Sequence, residues 1–191
     1  SYKYTVRAFV NGFRSDYNKS GAKTIFLTQP TVKFQNTATG IKVTWSKTAG
    51  AKNYTVYRAE YVNGKWSGWK NVGTCGNDVF GCIDKGVKSG VKYRYTVRAV
   101  NGNYKSSYVT PSGLMFLAQP TVKVAKASHG IKVSWGKVNS ATSYIRYGAK
   151  YKAKTKKWSG WKNLGSTKAV SYTDKSVKSG VTYKYTVRAA N

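Results

Sequence analysis

Tyr93 Arg94 Tyr95 Thr96 Val97 Arg98 Ala99 is the stretch that decides how this chain folds. Tyr93, Tyr95, Val97 and Ala99 alternate with Arg94, Thr96 and Arg98, which is the period-two pattern of a strand with one buried face. The block recurs as Tyr2 Lys3 Tyr4 Thr5 Val6 Arg7 Ala8 and as Tyr183 Lys184 Tyr185 Thr186 Val187 Arg188 Ala189. Outward from it, Gln29 Pro30 Thr31 Val32 Lys33 returns at Gln119 Pro120 Thr121 Val122 Lys123. Gly40 Ile41 Lys42 Val43 Thr44 Trp45 returns at Gly130 Ile131 Lys132 Val133 Ser134 Trp135, both 90 residues on. Trp66 Ser67 Gly68 Trp69 Lys70 Asn71 returns at Trp158 Ser159 Gly160 Trp161 Lys162 Asn163, 92 residues on. The second copy therefore gains two residues before its Trp-Ser-Gly-Trp and loses two after it, where the first copy carries Cys75 to Cys82. Loops tolerate such changes, so both places read as connections between strands.

Cut at the Gln-Pro steps, residues 29–118 form one whole repeat. Residues 1–28 match the last two strands of a preceding repeat, and 119–191 a repeat without its last strand. The chain reads as a window on a longer repetitive protein. Within 29–118 the alternation predicts strands near 31–36, 40–46, 53–60, 66–72, 78–84, 92–100 and 104–110, a two-sheet Greek-key sandwich. Val100 Asn101 Gly102 reads as an Asn-Gly hairpin turn, and the extra Phe9 before Asn11 Gly12 predicts a longer turn or a bulge in the first copy.

Composition agrees with an all-β class. There are 21 Val, 19 Thr and 16 Tyr against 4 Leu and 1 Met, and β-branched and aromatic residues suit pleated sheets better than helices. The 191 residues carry 34 Lys or Arg against 5 Asp or Glu, a net charge of +29, yet 40% are hydrophobic, enough for a folded core. No apolar run approaches the length of a membrane span, so membrane insertion is not expected.

These residues resemble fibronectin type III modules, in the Lys-rich and Tyr-rich style of secreted proteins of Gram-positive bacteria. The resemblance rests on Trp45 and Trp135 ending the second strand, and on Val87 Lys88 Ser89 Gly90 Val91 Lys92 Tyr93, which is similar to the family's approach to its sixth strand. Ser89 and Ser179 stand where the family usually has Pro. The resemblance implies an immunoglobulin-like seven-stranded β-sandwich in tandem repeats of about ninety residues. It also implies core roles for Trp45 and Trp135, and a tyrosine-corner role for Tyr93, Tyr183 and Tyr2. The integrin-binding Arg-Gly-Asp of some family members is absent from Asn101 Gly102 Asn103 Tyr104 Lys105.

Few residues can carry acid–base or metal chemistry. The carboxylates are Asp16, Glu60, Asp78, Asp84 and Asp174, and His129 is the one imidazole; glycosidase chemistry needs two adjacent carboxyls, and zinc needs three or four ligands. No enzyme activity, cofactor or metal is expected, and His129, in a turn, is given no role. Cys75 and Cys82 predict a local disulfide loop worth about 2 to 3 kcal/mol, with two thiols as the alternative. Trp66 and Trp69, like Trp158 and Trp161, are three apart. They face opposite sides of an unbroken strand unless Gly68 bends it, so either they pack or they contact a glycan or partner.

The functional expectation is a non-catalytic stalk, spacer or fibre at an extracellular bacterial cell surface, with weak attraction to anionic cell-wall polymers or glycans. Its partners are further modules of the same chain, or copies of itself in filaments that complete each other by strand addition. Nucleic acid is disfavoured because the basic residues are spread over every strand rather than clustered. The alternative is an accessory carbohydrate-binding or spacer region of a secreted polysaccharide-degrading enzyme.

Overall fold

The computed structural model describes all residues, Ser1–Asn191, and is built from strands. The first repeat contains β5 (Val32–Asn36), β6 (Ile41–Trp45), β7 (Asn53–Val62), β8 (Lys65–Trp66), β9 (Lys70–Gly76), β10 (Gly81–Asp84), β11 (Lys92–Asn101), β12 (Tyr104–Lys105) and β13 (Leu114–Met115). One sheet is ordered β10-β6-β5; the other runs β12-β11-β7-β8, with β9 also on β7. That is the two-layer order of a fibronectin type III, immunoglobulin-like sandwich. The predicted fourth and seventh strands are each interrupted, the fourth at Ser67–Trp69 and the seventh after Lys105.

Before it lie β1 (Tyr2–Tyr4), β2 (Phe9–Val10), β3 (Phe13–Arg14) and β4 (Ala22–Thr24). After it come β14 (Val122–Ala127), β15 (Gly130–Trp135), β16 (Ser143–Lys152), β17 (Lys157–Trp158), β18 (Lys162–Thr167), β19 (Ser171–Asp174) and β20 (Tyr183–Ala190). The two residues gained by the second repeat form a 3-10 turn at Ala153–Thr155, closed by Lys156 in the left-handed region. No helix is long and apolar enough to cross a membrane.

The chain divides into two compact units. One is Ser1–Gln35 with Lys42–Cys82 and Tyr93–Gly113; the other is Asn36–Ile41 with Ile83–Lys92 and Leu114–Asn191. The core of the first holds Val43, Trp45, Tyr54, Val56, Tyr93, Tyr95 and Val97, all buried. Trp45 and Phe80 contact the ring of Tyr54, each at 5.9 Å between centroids. The second unit repeats the plan with Val133, Trp135, Val138, Tyr144 and Val187. Its turn at Ser89 is tied inside that unit, where Ser89 Oγ accepts from Ala118 N at 3.0 Å and Asn139 Nδ2 donates to Ser89 O at 3.3 Å.

Gly40 and Gly130 show why these turns need glycine. Both have positive φ, and a Cβ at either would stand 2.2 Å from the carbonyl oxygen of Asp84 or Asp174.

The hairpins differ from expectation in register. Asn101 pairs with Tyr104, so the two-residue turn of the first repeat is Gly102–Asn103 and not Asn101–Gly102. In the N-terminal copy Val10 pairs with Phe13 around Asn11–Gly12, both with positive φ. The extra Phe9 does not lengthen that turn; it slides Asn-Gly into it.

The expected disulfide is not formed. Cys75 lies on β9 and Cys82 on β10, strands of different sheets, so the six intervening residues carry the chain between layers. A bridge there would tie two layers together and not staple one local loop.

Candidate functional site

The Trp-Ser-Gly-Trp segments are built by a serine. Ser67 leaves the strand after β8: its N–H donates to Glu60 O at 2.8 Å, its Oγ accepts from Glu60 N at 2.9 Å, and its hydroxyl donates to Gly68 O at 3.0 Å. Ser159 makes the same three bonds, with Lys150 O at 2.8 Å, Lys150 N at 3.0 Å and Gly160 O at 3.0 Å. The chain bends, as the sequence allowed, and the two indoles no longer face opposite sides.

They converge on one cation. Arg94 of β11 places its guanidinium carbon 4.3 Å from the Trp66 ring centroid and 5.1 Å from that of Trp69. In the second repeat Lys184 Nζ takes the place, 4.5 Å from Trp158 and 4.9 Å from Trp161. A cation over an indole face is worth about 0.5 to 2 kcal/mol, rising with desolvation. In the first repeat the row continues outward. Tyr61 meets Trp66 edge-on at 5.3 Å, Tyr108 meets Trp69 at 6.0 Å, and Arg98 covers Tyr108 at 5.5 Å.

This row explains a residue the alternation misplaces. Thr96 is on the solvent-facing side of β11, yet it is 2% exposed. It lines a 160 Å³ cleft with Tyr57, Trp69, Arg98 and Tyr108. Trp66 and Trp69 are half-buried, whereas Trp158 and Trp161 are more open, with Trp161 50% exposed.

Of the residues assigned to the core, Trp45 and Trp135 are buried with their Nε1 atoms unpartnered, and Tyr93 is buried. Tyr183 is half-buried and its Oη accepts from Lys178 N at 3.0 Å, bonding back to the chain five residues upstream. Tyr2, by contrast, is 55% exposed. A second tyrosine pair, which the alternation does not single out, anchors the chain: Tyr54 Oη accepts from Thr48 N at 2.8 Å and Tyr144 Oη from Val138 N at 2.9 Å. Their recurrence 90 residues apart was the available signal.

Among the carboxylates, Asp174 is buried. It accepts from Ser176 N at 2.9 Å, Ser176 Oγ at 2.6 Å and Tyr185 Oη at 3.0 Å. Burial alone would raise its pKa, but hydrogen bonds from Ser176, Tyr185 and Tyr172 outweigh that and hold it below the ordinary value. Burial first and the neighbouring Asp174 second push Tyr172 up to about 12, and the same causes raise Tyr185.

No protein-family pattern matches the chain, and no curated protein matches it. Among solved structures, the chain is similar to the FN1–FN3 domains of chicken CNTN1, at 17% identity and a TM-score of 0.43, over 98% of this chain and 69% of that one. It is similar to the two-module fibronectin type III segment of chicken tenascin, at 17% identity and a TM-score of 0.41, over 83% and 89%. It is also similar to the chicken interferon gamma receptor alpha chain, at 13% identity and a TM-score of 0.41, over 85% and 83%.

Proposed function

We propose that the chain is a non-catalytic structural element of an extracellular bacterial surface protein or fibre, a stalk or spacer with weak attraction to anionic polymers. The observation that carries the reading is the unneutralised charge of +29, which both repeats share. Lys33, Lys42, Lys70 and Lys92 are exposed on strands of both sheets in the first repeat, as are Lys123, Lys132 and Lys162 in the second. Such a surface attracts polyanions from every side without a shaped site, and keeps sheet edges from pairing with other chains. The salt bridges give it little relief: Arg7–Asp16 spans 3.9 Å with Asp16 90% exposed, and Arg58–Glu60 is a local pair at 2.7 Å.

Retention on immobilised polyphosphate tests the reading. Binding is expected at low salt and is lost as salt rises from about 0.15 M toward 1 M, where the screening length shrinks from about 8 to about 3 Å. Retention that survives 1 M salt, or that a single Trp→Ala substitution abolishes, refutes distributed attraction.

A second reading, accessory carbohydrate binding, is favoured by the half-exposed Trp161 and by the aromatic cleft at Trp69. Sugar rings stack on such faces. Neutral-glycan binding lost on Trp69→Ala and Trp161→Ala would select it.

A further inference from the structure

The two repeats differ sharply at one place in their third strand. In β7, Arg58 and Glu60 form an ion pair, Nη2 to Oε1 at 2.7 Å, with the arginine side chain 8% exposed. Its guanidinium carbon stands 5.3 Å over the ring of Tyr93. In β16 the matching residues are Gly148 and Lys150. The alignment is fixed upstream by Tyr54 and Tyr144, and downstream by the bonds of Glu60 N to Ser67 Oγ and Lys150 N to Ser159 Oγ. The second repeat has thus deleted both members of the pair.

Where they stood, the second unit has a cavity of 450 Å³ lined by Gly148, Lys150, Lys162, Leu164, Lys178 and Tyr183. Tyr183 is the counterpart of the ring that Arg58 covers in the first repeat. Ligand cavities usually measure about 300 to 1,000 Å³. None of the three lysines has an ion-pair partner. The one acid in the lining, Asp174, spends its oxygens on Ser176, Tyr185 and Tyr172. Leu164, Ala149 and the Tyr183 ring supply an apolar wall, and Ser159 a hydroxyl.

We propose that this cavity binds a sugar-sized molecule bearing one anionic group, a phosphate, sulfate or carboxylate. Lys150, Lys162 and Lys178 hold the anion, and the body of the ligand rests on Tyr183 and Leu164. The proposal rests on the polyanion reading for the sign of the ligand and deepens it by giving the anion a place and a size.

Titration of the whole chain, followed residue by residue in ¹H–¹⁵N spectra, tests it with glucose 6-phosphate, glucuronate, inorganic phosphate and uncharged glucose. Saturable shifts at Gly148, Lys150, Lys162 and Tyr183 are expected with the two anionic sugars, and none with glucose. Inorganic phosphate should move the lysines but bind more weakly. The pocket can be refilled with the first repeat's own residues through Gly148→Arg and Lys150→Glu. A Cβ at position 148 would lie 3.0 Å from Leu164 Cδ1 and 3.3 Å from Tyr185 Cε1. The first repeat has Val72 where Leu164 stands, so Leu164→Val completes the graft.

The triple variant should abolish binding. Lys150→Glu alone, at an exposed position, should weaken it about tenfold or more. Binding unchanged in both variants overturns the proposal. Shifts spread evenly over exposed lysines of both repeats overturn it too, while leaving distributed attraction to polyanions standing. If polyphosphate as well as the sugars leaves every resonance unmoved, both readings fall.

Discussion

Tyr54→Phe removes one oxygen atom and isolates the energetic role of a single hydroxyl. The ring stays, so its contacts with Trp45 and Phe80 at 5.9 Å are kept. What goes is the acceptor for Thr48 N, bonded at 2.8 Å in a place where Thr48 is 3% and Tyr54 0% exposed. Water cannot replace the lost partner there without opening the core. An unsatisfied buried donor costs about 1 to 3 kcal/mol. For a domain of this size each kcal/mol moves the thermal midpoint by about 4 to 8 °C, so a fall of about 4 °C or more is expected. Urea titration followed by tryptophan emission, with calorimetry alongside, measures it in the whole chain. Tyr144→Phe, which strands Val138 N, should reproduce the loss in the second repeat. Tyr183→Phe, whose bond to Lys178 N is exposed, should cost visibly less. A Tyr54→Phe protein as stable as the parent, or a ranking in which Tyr183→Phe is the worst, would refute the assignment of buried anchoring to this hydroxyl.

Arg94→Met should lower stability by about 1 kcal/mol and raise acrylamide quenching of tryptophan emission, since the two indoles lose the cation between them; unchanged quenching counts against the clamp. Gly130→Ala forces a Cβ to within 2.2 Å of Asp174 O, whereas at Gly64 a Cβ meets nothing within 4 Å, so Gly130→Ala should be much the more destabilising in urea. The folded-state pKa of Asp174 lies below its ordinary value of 3.8, so its contribution is present above that pH and is lost as pH falls through the folded value. Asp174→Asn should flatten this acid limb of the stability profile. Tyr172, raised from 10.0 to about 12, contributes stability that is whole below pH 10.0 and lost as pH climbs through about 12, and Tyr172→Phe should soften that alkaline limb.

The strands were legible because each side chain in a sandwich has only two places to go. Ile41, Val43 and Trp45 are buried while Lys42 is exposed, as the alternation requires. What stayed hidden depended on partners far along the chain. Nothing near Trp66 and Trp69 announces that Arg94, on another strand, will contact both rings, nor that Trp69 and Tyr108 will share a cleft with Thr96. The hairpin register departs from the Asn-Gly signal because strand pairing at Asn101, which faces Tyr104, overrules the turn preference. The cysteine spacing suggested a loop, but the residues between Cys75 and Cys82 form a crossing between sheets. The cavity beside Gly148 was visible in principle, since Arg58 and Glu60 align with Gly148 and Lys150, but a substitution shows a void only once the packing around it is known.

The segment that follows Arg7 has a kinetic consequence. Ala8 N bonds Ser15 Oγ at 2.9 Å and Arg7 covers Tyr17 at 4.3 Å; Ala99 N bonds Ser106 Oγ at 3.0 Å and Arg98 covers Tyr108 at 5.5 Å. These contacts close over seven to ten residues of chain, and in the N-terminal copy they form around Val6 and Phe13, which are 86% and 79% exposed. They therefore depend on neighbours close along the chain and not on distant strands. A β-hairpin of this kind forms in about 1 to 10 μs, far sooner than distant strands find each other. Where similar repeats adjoin and a strand has several wrong neighbours to choose from, a locally closed ribbon in these two copies gives the remaining strands a template of the right parentage before an adjoining copy can compete for them.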